Sequence, residues 1–232
     1  MEYHSIEYRF YLPGGRDLSF KLRLDPRSLD AVEPSPDPVP SWAALGFNQC
    51  PNCPLDPATH PHCPAALKLV KLIDKCKGLN AYAQVRIEVL TPERTVSATR
   101  PLQKGLSSLA GLVMATSGCP NTAPLKPMAR FHLPFAADDE TLYRATSMYL
   151  LGQYFVHKQG KRPDLELDGL VEIYRQLQAV NTSMTKRLGT VTSRDIATDA
   201  IVSLDLFSHI LPYDVKASLS KIRDLFEPFL PR

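Results

Sequence analysis

An α+β fold is predicted for this chain: an N-terminal antiparallel sheet of two hairpins, followed by a helical C-terminal portion. Three observations carry the prediction. Apolar residues alternate with period two only within the first hundred residues, whereas from Pro101 onward they recur at helical spacing. The chain has 232 residues, 44% hydrophobic and 22% charged, enough to bury a full core without help from a metal. We therefore expect a single domain over 1–232, with 1–100 mainly strands plus a Pro-rich and Cys-rich loop, and 101–232 mainly helices.

The first hairpin is the plainest element. Ile6, Tyr8, Phe10 and Leu12 alternate with Glu7, Arg9 and Tyr11, and Leu18, Phe20, Leu22 and Leu24 alternate with Ser19, Lys21 and Arg23. Pro13-Gly14-Gly15 turns between them. Prolines at 26, 34, 36, 38 and 40 then remove backbone donors and fix φ, so 25–41 reads as an extended connector wrapped on the surface. A helix is predicted over 64–77, opened by Pro64, striped by Leu67, Val70, Ile73 and Cys76, and ended by Gly78. On that stripe Cys76 reads as a core residue. A second hairpin follows, with Ala83, Val85, Ile87 and Val89 alternating in 82–90 and a weaker returning strand at 95–99.

Leu102, Leu106, Leu109 and Val113 predict a helix over 101–117, and its many small residues allow close packing. Residues 119–137 hold four prolines and read as a long irregular segment. Asp138 and Asp139 open a helix to about 158, and Asp164 caps one over 165–188. Thr192 with Asp195 resembles a capping box for 193–210, and a last helix is predicted over 214–227.

The chemistry is concentrated in Cys50-Pro51-Asn52-Cys53-Pro54, His60-Pro61-His62-Cys63-Pro64 and Gly118-Cys119-Pro120. Four of the five cysteines precede proline although proline is only 21 of 232 residues, a coincidence well below about one in a hundred on composition. Proline after a ligand thiolate fixes the turn and removes a competing donor, and Cys-Pro recurs at iron–sulfur ligands. Four assignments are open. Cys50, Cys53, Cys63 and Cys119 form an all-thiolate site for zinc or a four-iron (4Fe–4S) cluster. His60 or His62 replaces Cys119 in a Cys3His zinc site. Cys50 and Cys53 are a redox dithiol, without the strand-then-helix setting such pairs use. Finally, the cysteines are small buried hydrophobes in a Pro-rich loop. Lys126, Arg130 and His132 could line a pocket for a small anionic ligand or substrate, although structural hydrogen bonding is the commoner role for an Arg-x-His in a loop.

The motifs Phe47-x-x-Cys50-x-x-Cys53-Pro54-Leu55, His62-Cys63-Pro64, Ala115-Thr116-Ser117-Gly118-Cys119-Pro120 and Lys126-Pro127-Met128-Ala129-Arg130-Phe131-His132-Leu133-Pro134-Phe135 together resemble a bacterial domain family of unknown function. The resemblance covers most of the chain and implies a bacterial origin and a single-domain unit. It lends no activity, substrate or catalytic residue.

Other classes find little support. A net charge of +3 without long basic runs gives no nucleic-acid or membrane-surface signal. There is no leader-like apolar stretch, and an odd cysteine count argues against a disulfide framework, so a cytoplasmic location with reduced thiols is expected. No Gly-x-Ser-x-Gly, His-Glu-x-x-His or phosphate-cradling glycine loop marks a hydrolase or nucleotide enzyme. The expectation is a metal-binding, sensing or regulatory module rather than an enzyme, with a protein or small ligand as partner. The alternatives are an enzyme acting near Arg130 and His132 and a thiol redox protein.

Overall fold

The computed structural model describes residues 3–190, 215 and 218–230. The two hairpins form one antiparallel sheet of four strands, β1 (His4–Tyr11), β2 (Asp17–Leu24), β3 (Gln84–Leu90) and β4 (Thr95–Pro101), in the order β2-β1-β3-β4. The register places Tyr8 opposite Phe20 on one side and Val89 on the other. Ile6, Tyr8, Phe10, Leu22, Leu24, Ile87 and Val89 thereby share one buried face. Glu7, Arg9, Lys21 and Arg86 stand on the opposite face, the half-buried arrangement that period two specifies.

Helices α1 (Pro64–Cys76) and α2 (Leu102–Ala115) pack against each other, and both contribute to the core that covers the sheet. The approach of α2 depends on Gly105. A Cβ there would stand 2.5 Å from Ile87 Cδ1 and 2.7 Å from Phe10 Cε1, so only glycine lets the helix lie this close. Cys76 is fully buried in the same core, as its place on the α1 stripe predicts.

The proline-rich connector does wrap the surface. Ala31 bridges to Leu24, its N–H donates to Thr116 O at 2.8 Å, and Lys126 Nζ pairs with Asp30 at 2.6 Å. The segment after Cys119 is less irregular than its prolines imply. It forms a short 3-10 turn at Ala123–Leu125 and a five-residue helix, α3 (Lys126–Arg130). Pro124 and Pro127 fall in first turns, where the missing N–H would have had no helical partner.

Helix α4 (Asp138–Lys158) starts at the predicted acidic residues, and Glu140 accepts the Ala137 N–H at 2.7 Å. Helix α5 (Asp168–Gly189) starts three residues later than 165. Asp164 is not its cap residue but reaches forward to Gly169 N–H at 2.8 Å, past Leu167 with φ +66°. The predicted helix at 193–210 lies outside the described residues, as does most of 201–217. Residues 223–229 form a 3-10 helix rather than the end of an α-helix. No described helix is long and apolar enough to cross a membrane.

Helix α5 serves two cores. Val180, Met184 and Leu188 join the sheet-side core, whereas Leu170, Tyr174 and Leu177 pack with Leu142 and Ala145 of α4 in a second. Leu125 touches both.

Candidate functional site

Three Cys-Pro turns distant in sequence meet beside α5. The first is closed by Cys53 N–H donating to Cys50 O at 3.0 Å. Asn52, between those two cysteines, donates through Nδ2 to Gln176 O of α5 at 3.1 Å, and the Asn52 carbonyl accepts from Asn121 Nδ2 at 3.2 Å. Asn121 lies two residues after Cys119, so this bond ties the Cys50 and Cys119 turns together.

Cys63 arrives from a third direction. It is the cap residue of α1, and its N–H donates to Ala43 O at 2.8 Å, while Leu45 N–H donates to Pro61 O at 2.9 Å. The segment 43–45 leading to Cys50 is therefore laced to the segment 61–63. Cys119 follows Gly118, which lies two residues past the Thr116 cap of α2 and has a φ of +86°, the left-handed conformation glycine tolerates. Ser117 Oγ accepts the Cys119 N–H at 3.2 Å.

The electrostatics agree with this convergence. Burial pushes the Cys50 thiol up to about 11, a hydrogen bond with the Ser183 hydroxyl pulls it down, and the nearby Cys63, Cys119 and Cys53 each raise it further. The Cys119 thiol is also raised, by burial first. The backbone N–H groups of Asn121 and Thr122 oppose that rise, because they donate to its sulfur and favour the thiolate. All five cysteines are free thiols. Among the described residues, no three His, Cys, Asp or Glu side chains are arranged as they would be around a single metal ion.

The predicted alternative ligands differ in setting. His60 is exposed, with Nδ1 at 2.9 Å from Thr59 Oγ1, and His62 is half-buried beside Cys63, its backbone bridged to Ala44.

Lys126, Arg130 and His132 do not gather around one pocket. Lys126 is paired with Asp30, and Arg130 lies over the Phe131 ring at 5.4 Å, within electrostatic reach of His4. His132 alone lines a cavity of about 590 Å³ that lies where α2, α3, α4 and α5 meet. Its Nε2 is 2.5 Å from the Tyr8 hydroxyl, which is 2.8 Å from Ser108 Oγ. Burial, with a smaller contribution from Arg144, lowers the His132 pKa to about 3, so the imidazole is neutral.

Two arginines were not foreseen. Arg144 of α4 lines the cavity, and Arg187 of α5 is buried and clamps the 42–45 segment. Its guanidinium donates to Trp42 O at 2.9 Å, Ala44 O at 2.6 Å and Leu45 O at 2.8 Å. The signal available for Arg187 was its position, three residues after Met184 on the buried seam of α5.

No curated protein and no solved structure matches the chain. A family model described as a domain of unknown function (DUF6901) matches residues 6–227, nearly the whole length, and the chain belongs to that family.

Proposed function

We propose that Cys50, Cys53, Cys63 and Cys119 are the ligand set of a metal centre, and that the protein acts through it as a binding, sensing or regulatory module. One observation carries the reading. Three Cys-Pro turns, more than fifty residues apart at their extremes, are tied by Asn52, Asn121 and the 43–45 segment into one neighbourhood where Cys50 feels the other three thiols.

A single tetrahedral zinc, with metal–sulfur bonds near 2.3 Å, draws its sulfurs to within about 4 Å of one another. Of the two all-thiolate choices we take the four-iron cluster over one zinc ion. The amides directed at the Cys119 sulfur and the four following prolines fit the same choice. The thiol redox reading fares worse, because Cys53 runs on into turns and does not open a helix whose N-terminus would lower the thiol pKa. Free thiols throughout accord with a reducing cytoplasm.

The test is iron, sulfide and zinc analysis with a visible absorption spectrum, on protein purified without oxygen or chelator. Iron with acid-labile sulfide and a broad visible band is expected, lost in Cys50→Ser and Cys119→Ser and kept in Cys76→Ser. Stoichiometric zinc with the same variant pattern would keep the ligand set and replace the cluster. Folded, metal-free protein would overturn the proposal.

A further inference from the structure

We propose that the cavity between the two cores binds a small organic acid, an apolar body carrying one carboxylate, with Arg144 as its counter-charge. This proposal is independent of the thiol cluster. About 590 Å³ is within the range of small-molecule sites, and Leu112, Met114, Met128, Leu133, Phe135 and Leu177 make its walls mainly apolar. Such a cavity gains most from an apolar occupant. What fixes the ligand's polar end is the charge left inside.

Arg144 is a half-buried guanidinium. Its Nη2 donates to Met128 O at 3.1 Å and Phe131 O at 2.8 Å, which anchors α3 and the turn after it, and among the described residues Nε and Nη1 have no hydrogen-bond partner. Among the described residues, no carboxylate stands within ion-pair distance of it. Glu140, one turn earlier on α4, is engaged with the Ala137 N–H, and Asp138 lies exposed at the rim. Burial disfavours the Arg144 cation, and Tyr174 and Glu140 offset that from beyond ion-pair distance, so an incoming carboxylate would relieve the remaining cost while matching the planar fork of donors.

The other polar groups are suited to orientation rather than charge. Ser108 and the neutral His132 line one side, linked through the buried Tyr8 hydroxyl behind them, and Asn181 and Thr141 stand on other elements. Arg100 and Lys104 are exposed cations at the β4–α2 end, where they attract an acid without being desolvated by it. One interior cation among apolar walls selects a monocarboxylate over a dianionic phosphate.

The experiment is isothermal titration of the full chain with octanoate, octanamide and octyl phosphate. Octanoate should bind at least tenfold more tightly than octanamide and more tightly than octyl phosphate. Arg144→Lys, which keeps the charge and loses the fork, should weaken octanoate at least tenfold while leaving octanamide unchanged. Leu133→Trp, which fills the cavity and leaves Arg144 in place, should abolish both, with native circular dichroism as the check on folding. Equal affinity for octanoate and octanamide, preference for octyl phosphate, no binding of any of the three, or octanoate binding that survives Leu133→Trp in folded protein would each overturn the proposal.

Discussion

Replacing Arg187 with methionine keeps most of the aliphatic volume on the α5 seam and removes all three hydrogen bonds to the 42–45 segment. The consequences differ by carbonyl. Ala44 O keeps a second donor, the Phe47 N–H at 3.2 Å, but among the described residues Trp42 O and Leu45 O have Arg187 as their only partner. Two orphaned buried carbonyls at roughly 1–3 kcal/mol each amount to about 2–6 kcal/mol lost. Against this, the substitution also removes a buried cation, whose Nε has no partner among the described residues, and relief of its desolvation offsets part of the cost. The net expectation is destabilisation by about 2–3 kcal/mol. Trp42 is the only tryptophan and is itself buried, so its fluorescence reports the segment directly while far-UV circular dichroism reports the helices. Urea denaturation followed by both signals should show a lower midpoint, with the tryptophan transition preceding the helical one as 42–45 opens first. A variant within about 0.5 kcal/mol of the parent, with coincident transitions, would refute the clamp.

Gly105→Ala gains about 1 kcal/mol of helix propensity but drives a methyl into Ile87 and Phe10, side chains in a packed core, so a net loss of about 1–2 kcal/mol is expected by the same denaturation. His132 supplies a pH signature. Its folded pKa of about 3 lies below the unfolded value near 6.5, so between those values the unfolded chain binds the extra proton. Stability is therefore full above about pH 6.5 and falls as pH drops toward 3, by at most about 1.4 kcal/mol per unit from this residue. The stability difference between parent and His132→Gln should shrink by about 2 kcal/mol from pH 6.5 to 4.5. A pH-independent difference would mean that His132 is not held neutral.

The sheet and the helices on it were legible because one face of each element decides its structure. Alternation at Ile6, Tyr8 and Phe10 has only one reading once Gly14 and Gly15 supply the turn, at φ +85° and +79°. The same logic placed Cys76 in the core and Cys63 at the head of α1. The start of α5 was less legible, since an aspartate before a helical run looks the same whether it caps the next residue or, like Asp164, reaches over a left-handed Leu167 to a later amide. The prolines after Cys119 were misread for a related reason. Proline excludes a helix interior but fits its first turn, and composition alone does not tell the two apart.

The two arginines show why the candidate sites were only half visible. Cys-Pro recurrence marks residues with shared chemistry, yet what gathers them here is neutral and unremarkable in sequence: the Asn52 and Asn121 amides and the backbone of 43–45, answered from α5 by Gln176, Ser183 and Arg187. Those partners are roughly 70 to 140 residues away along the chain and follow no local spacing rule. The cavity is still less readable, being a volume that no element encloses alone. It exists because α5 turns its first half toward α4 and its second half toward the sheet, leaving a gap between the two cores that Leu125 only partly closes. A cation placed at such a gap is recognisable only when the distances to every carboxylate are known, so nothing in its local sequence marks Arg144, whereas Lys126 and Arg130 sit in a conspicuous motif. Asp30 answers Lys126, and the Phe131 ring lies under Arg130; Arg144 feels Glu140 only from beyond ion-pair distance, and no described carboxylate pairs with it directly.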